Sequence, residues 1–165
     1  MSKQDSLTAE ELHRHLDYNP STGKFRRAIG QKRSPVGVEI SVKQSTNGYF
    51  YICILGKKRL AHRLAWLHFY GEYPPTFIDH INGDKTDNRI ENLRPASYSE
   101  NSQNQRSPRS DNKLGVLGVC RSANKFKAQI RIDGRTTYIG LFESVEEARL
   151  AYVNAKRKHH PACTL

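Results

Sequence analysis

Residues 125–132 alternate strictly: Phe126, Ala128, Ile130 and Ile132 fall on one side of an extended chain, Lys127, Gln129 and Arg131 on the other. That is the period of a half-buried strand. Residues 116–121 and 136–142 read as strands on either side of it, and Asp133-Gly134 is a hairpin signal between the second and third. Ser144-Val-Glu-Glu147 is a capping box, and residues 146–158 set Ala148, Ala151, Tyr152 and Ala155 on one helical side. Three strands and one helix are thus expected over residues 113–158.

Earlier in the chain the pattern is more broken. Thr8-Ala-Glu-Glu11 is a capping box that opens a short helix to about Leu16, followed by a turn over residues 19–23 and a strand over 24–28. Residues 47–55 read as a strand, with Tyr49, Phe50, Tyr51, Ile52 and Ile54, and residues 56–59 as its hairpin turn. Residues 62–70 carry Leu64, Ala65, Leu67 and Phe69 at mixed helical spacing and stop at Gly71. Residues 77–80 form a short strand, 82–88 a polar loop, 90–93 a brief turn or helix, and 94–97 a returning strand. Ser97-Tyr-Ser-Glu100 is a further capping box, opening a helix to about Gln105. The polar, proline-containing stretch over 105–112 is the best boundary. The chain therefore reads as α+β, with a basic hairpin region over 1–59, a central domain over 60–105, a linker over 106–112, a sheet-and-helix domain over 113–158 and a tail over 159–165.

Charge sharpens this division. The 165 residues carry a net charge of +11. Residues 1–70 and 106–165 each hold 12 basic and 5 acidic side chains, whereas residues 71–105 hold 3 basic and 6 acidic. Two basic flanks attract polyanions through phosphate contacts and counterion release. An acidic centre between them is where a cation would sit. No apolar run approaches the ~18–20 residues of a membrane span. The opening MSKQDSLTAEELH has no apolar core, so no secretory signal is expected. Three widely spaced cysteines, Cys53, Cys120 and Cys163, form no CxxC pair, which argues against a zinc ribbon or disulfide framework and fits the reducing cytoplasm.

The candidate chemistry lies in IDHINGDKTDNRIENLRPASYSEN. Asp79 and His80 are adjacent at a strand end, with Asn92 and Asn101 following His80 by 12 and 21 residues. Asp79 and Asn101 offer hard oxygen donors that suit Mg²⁺, with Mn²⁺ a natural substitute and Asn104 the second-choice ligand. A neutral His80 suits a general base, and the Asn92 amide suits a group that holds the ring. One cation and one histidine are sufficient to hydrolyse a phosphodiester. Asn82, Asp84, Asp87 and Asn88 lack the register of a calcium loop and read as loop-formers. His62 and His68 read as structural residues, packing or touching phosphate, and His159 and His160 as solvent-exposed.

DHINGDKTDNRIENLR followed by SENSQN resembles the HNH nucleases, in particular the phage- and intron-associated homing endonucleases, over about residues 60–105. The resemblance implies a ββα-metal finger in which Asp79 and Asn101 bind one divalent metal, His80 is the general base, and Asn92 orients His80 and braces the loop. The implied product is a nick with 5′-phosphate and 3′-hydroxyl ends. Lys113–Lys158, through Gly118-Val119, KFKAQIR, YIGLF and EEARLAY, resembles the AP2 DNA-binding domain, a three-stranded antiparallel sheet backed by one helix. That family lays its polar sheet face in the major groove, where Arg reads guanine and Gln adenine. Gln129, Arg131, Thr136, Tyr138 and Arg121 would carry that face, with Lys125 and Lys127 on phosphates. Cys120 and Ser122 stand where the family usually has arginines.

The expected protein is a cytoplasmic, unsecreted enzyme acting on double-stranded DNA, able to work as a monomer without an obligate protein partner. Lys24, Arg26, Arg27, Lys32, Arg33, Lys57, Lys58 and Arg59 would widen its DNA footprint. The competing expectations are a DNA-binding regulator with an inactive finger and, ranked lower, an RNA-directed protein, since no RNP-type aromatic motif is present.

Overall fold

The computed structural model of the chain describes residues 7–30, 35–108, 111–161 and 163. Lys32 and Arg33 therefore lie outside the described residues. The chain forms two compact units, Met1–Ser97 and Tyr98–Leu165. The division falls ahead of the polar stretch at 106–112 expected as the boundary. No helix among the described residues is long and apolar enough to cross a membrane.

The first unit begins with helix α1 (Ala9–His15). Thr8 Oγ1 accepts from the Glu11 N–H at 3.1 Å, and Glu11 returns the bond to the Thr8 N–H at 3.0 Å. Leu16 is already extended, so the chain passes without a loop into β1 (Leu16–Asn19), which pairs antiparallel with β2 (Lys24–Arg27). β1 is absent from the sequence reading because its alternation rests on only two inward residues, Leu16 and Tyr18. A second sheet takes the order β3 (Lys43–Gln44), β4 (Phe50–Ile54), β5 (Lys57–Leu60). Its β4–β5 turn is Leu55-Gly56, both at positive φ, with Ile54 paired to Lys57. This is the two-residue turn that matches strand twist, so residues 57–59 belong to the strand rather than to the expected turn.

Helix α2 (Ala61–Tyr70) follows directly and ends at Gly71. β6 (Phe77–His80) and β7 (Leu93–Ala96) pair antiparallel, with Asp79 opposite Arg94 and His80 opposite Leu93; a 3₁₀ turn over Ile90–Asn92 precedes β7. Leu12, Leu16, Phe25, Ile52, Leu64, Leu67, Ile78 and Leu93 share one core. The N-terminal block is thus continuous in packing with the strands that carry Asp79 and His80. His68 is structural here: its Nε2 donates to the Leu16 carbonyl at 3.2 Å, and its ring meets His13 edge-on.

The second unit opens with α3 (Tyr98–Gln103), shorter than the expected helix to Gln105. Its sheet has the order β10 (Arg135–Phe142), β9 (Lys125–Ile132), β8 (Val119–Ser122), all antiparallel. β8 begins three residues later than expected. Asn112 Nδ2 donates to the carbonyls of Val116 and Val119, and the Val119 N–H closes a turn on Val116. Helix α4 (Val145–His159) is capped by Ser144 and Glu147 as expected. It packs on the sheet through a core of Val119, Ala128, Ile130, Ala148 and Tyr152. Lys156, on the same helix, is buried, and its ammonium donates to the Gln105 carbonyl. His160, expected in solvent, is buried as well, with Nε2 on the Arg131 carbonyl at 2.8 Å.

Candidate active site and nucleic-acid interface

Antiparallel pairing of β6 with β7 sets Asp79 and His80 side by side at the end of a short ribbon, 5% and 3% exposed. A buried carboxylate requires a partner. Arg94, directly opposite, donates from Nε and Nη2 to Asp79 Oδ2 at 3.0 and 2.8 Å. This pairing is a consequence of register: cross-strand neighbours on one face lie close enough for an ion pair.

The loop over residues 81–92 is tied at several points. The Asn82 N–H donates to Asn92 Oδ1 at 2.9 Å, and Asn92 Nδ2 donates to the Asp87 carbonyl at 2.8 Å. Asp87 accepts from Arg89 Nε at 2.9 Å and Nη2 at 2.7 Å. That guanidinium holds the Asp87 carboxyl below the usual carboxylate range, as the Thr86 hydroxyl does for Asp84. Asn92 thus braces the loop with both ends of its amide. The orienting contact expected of it falls to Asn88, whose Oδ1 lies 3.3 Å from His80 Nε2. Asn88 Nδ2 donates to the Thr86 carbonyl, so its oxygen faces the ring and His80 Nε2 carries the proton. Burial holds His80 below the ordinary imidazole range, opposed by the Asn88 bond and the charges of Asp79, Asp84 and Asp87.

Asn88 is itself held by the N-terminal hairpin. The Tyr18 hydroxyl donates to the Asn88 carbonyl at 2.7 Å, and the Ile90 N–H donates to the Pro20 carbonyl at 3.0 Å. Gly23, at φ +71°, passes so close that a Cβ there would stand 2.7 Å from the Asn88 carbonyl carbon and the Arg89 nitrogen. Only glycine fits both the backbone angle and the gap. The β1–β2 turn therefore supports the loop that meets His80.

Two more rings border His80. His62, near the start of α2, is 5% exposed, and its ring centroid lies 5.2 Å from that of His80 at 83°. Burial, then the neighbouring His80 and Arg63, push the His62 pKa down to about 3, so it is neutral. Tyr49 lies 5.1 Å from His62 and 5.8 Å from His80. In the sequence Asn88 reads only as a loop-former and Tyr49 only as a strand residue, and Arg94 would have been exposed only by the cross-strand register. Asn101 lies on α3 in the second unit, and Asn104 is buried just beyond that helix. Among the described residues, no three His, Cys, Asp or Glu side chains gather as a metal-binding cluster.

The second unit presents the polar strand face. Register places Thr136 opposite Arg131, Tyr138 opposite Gln129, and Cys120 opposite Lys127. Lys125 lies on the same face and pairs with Glu143 at 2.5 Å. Arg121 does not join them. It sits opposite Phe126, on the helix-facing side, with its guanidinium 5.8 Å from that ring. Strand parity decides this: Arg121 is one residue removed from Cys120, which shares the Lys127 face. In the first unit, Lys57 and Lys58 are exposed but Arg59 is buried, donating to the Ile54 carbonyl at 3.0 Å. Arg59 is thus spent on the hairpin rather than on an outer cationic surface.

Residues 59–103 match the HNH endonuclease family. Over 138 residues the chain is 30% identical to an uncharacterized HNH endonuclease of Acanthamoeba polyphaga mimivirus, covering 83% of this chain and 64% of that protein. The chain thus spans just under two thirds of that relative's length. No solved structure matches it. The segment containing Asp79, His80, Asn92 and Asn101 is therefore similar to the HNH endonuclease family.

Proposed function

We propose that this chain, which is similar to the HNH endonuclease family over residues 59–103, is a divalent-metal-dependent endonuclease of homing type that nicks one strand of double-stranded DNA at a preferred site. The observation that supports this most is the buried Asp79–His80 pair, with the imidazole held neutral and its Nε2 fixed by Asn88. A histidine neutral at pH 7 is suited to take a proton from an attacking water.

The donor set fits a hard cation. As the resemblance to HNH nucleases implies, Asp79 would offer a carboxylate oxygen and Asn101 an amide oxygen, donor types that suit Mg²⁺ or Mn²⁺ rather than zinc. When bound, the cation supplies positive charge to the phosphate and the leaving 3′-oxygen. His80 accepts the proton of the water. Asn88 keeps the ring in one tautomer, and Asn92 keeps the loop from shifting around it. Arg94 balances Asp79 in the absence of a cation.

The C-terminal sheet supports a DNA-holding role by its resemblance to the AP2 domain. Lys125 and Lys127 suit phosphates, while Gln129, Arg131, Thr136 and Tyr138 form the face suited to a major groove. Arg121, on the other side of the sheet, is left out of that set.

Supercoiled plasmid incubated with the protein tests the reading. Nicked circles should appear with Mg²⁺ or Mn²⁺ and vanish with EDTA. Plasmid bound but never nicked, with either ion, would favour the regulator with an inactive finger. Rescue by zinc alone would overturn the ligand assignment.

A further inference from the structure

We infer that Leu141 is a specificity-determining residue, turned by a β-bulge onto the outer face of the C-terminal sheet to contact the 5-methyl group of a thymine in the major groove. The inference rests on the reading of that face as the one that holds DNA.

Strict alternation along β10 would put Leu141 on the side of Thr137 and Ile139, towards α4. Thr137 does lie opposite Ile130 of the core, and Ile139 packs on that core. The register then shifts between Tyr138 and Gly140. Gly140 lies opposite the buried Ala128, and Phe142 lies opposite Phe126, so both stand on the helix side. Two consecutive residues, Ile139 and Gly140, thus face α4, and the parity of the strand reverses beyond them. Gly140 leaves room for this, since a Cβ there would stand 2.8 Å from the ring of Phe142, which packs on the core. Leu141 is thereby turned outward, 46% exposed and opposite Lys127. Lys127 in turn lies opposite Cys120, so Leu141, Lys127 and Cys120 form one row across the sheet. That row runs beside the Tyr138–Gln129 and Thr136–Arg131 pairs.

A lone exposed leucine is ordinary on a protein surface. This one is re-aimed against alternation by a bulge, a device found beside functional sites. It also stands among the cationic and hydrogen-bonding side chains of the face proposed for DNA. Its chemistry then selects its target. An isobutyl group neither donates nor accepts, so it gains nothing from a phosphate. The apolar group that base edges display in the major groove is the thymine 5-methyl.

The test begins with full-length wild type, which selects a preferred duplex from a random library in EDTA. Each thymine of that duplex is then replaced in turn by deoxyuridine, which lacks only the 5-methyl group. Wild type should lose about fourfold in affinity at one position, the worth of one buried methyl. Leu141→Ala should melt with wild type and bind the thymine and deoxyuridine duplexes of that position equally. Selection of no preferred duplex, a selected duplex without thymine, no loss at any position, or a loss that Leu141→Ala shares would overturn the inference and leave the DNA-holding role standing. All but the last are read on wild type alone, so they decide the matter whether or not Leu141→Ala folds. A wild type that binds no duplex DNA would overturn the DNA-holding role, and the inference with it.

Discussion

Gly118→Ala should destabilise the C-terminal unit by about 2–5 kcal/mol. Gly118 sits at φ +74°, and a Cβ built there would stand 2.0 Å from two ring carbons of Tyr152. Left-handed backbone costs a non-glycine residue roughly 1–2 kcal/mol. Forcing extra volume into a packed core costs roughly 1–3 kcal/mol more. Tyr152 cannot easily yield, because it belongs to the buried core between α4 and the sheet. Small domains have few kcal/mol to lose. Trp66, the only tryptophan, lies in the N-terminal unit. Urea unfolding followed by far-UV circular dichroism should therefore show an early transition that Trp66 fluorescence does not share. Superimposable curves for variant and wild type would contradict the packing described.

Asp79→Asn should abolish most cleavage while leaving the protein folded and bound to DNA. The substitution keeps the shape of the side chain and removes its charge. A neutral amide is a poor ligand for a hard dication. It also removes the carboxylate to which the Arg94 guanidinium now donates two N–H···O bonds. Losing an orienting partner of a metal ligand costs 10–100-fold, so losing the ligand itself should cost at least ~100-fold in nicking rate. Excess Mn²⁺ should recover part of the rate, while affinity for DNA in EDTA stays unchanged or rises through the lost negative charge. Wild-type rates in Asp79→Asn would remove Asp79 from the proposed metal site.

Much of the fold was legible wherever a local signal was sufficient. The strand at 125–132 falls where alternation put it, the short strand at 77–80 where it was expected, and the boxes at Thr8 and Ser144 close as their spacing requires. Elements defined by long-range pairing were not legible. β1 exists because β2 and the core receive Leu16 and Tyr18, and β8 starts late because Asn112 takes the Val116 carbonyl ahead of it. The site shows the same division. The residues proposed to carry the chemistry lie within one short motif, so Asp79, His80 and Asn92 could be named. Their surroundings come from farther along the chain: Asn88 is supported by Tyr18 and Gly23, and the His62 ring on α2 borders His80. Arg121 and Arg59 show why cation counts mislead, since strand parity and a hairpin carbonyl remove them from the faces to which they were assigned.

The central claim is that His80 performs the chemistry of a metal-dependent nuclease. Its most direct test compares wild type and His80→Ala, purified side by side, on supercoiled plasmid in Mg²⁺. General-base catalysis contributes about 10²–10⁴-fold, so wild type should convert the plasmid to nicked circles while His80→Ala binds it equally and leaves it supercoiled. Nicking at the same rate by both proteins would contradict the account.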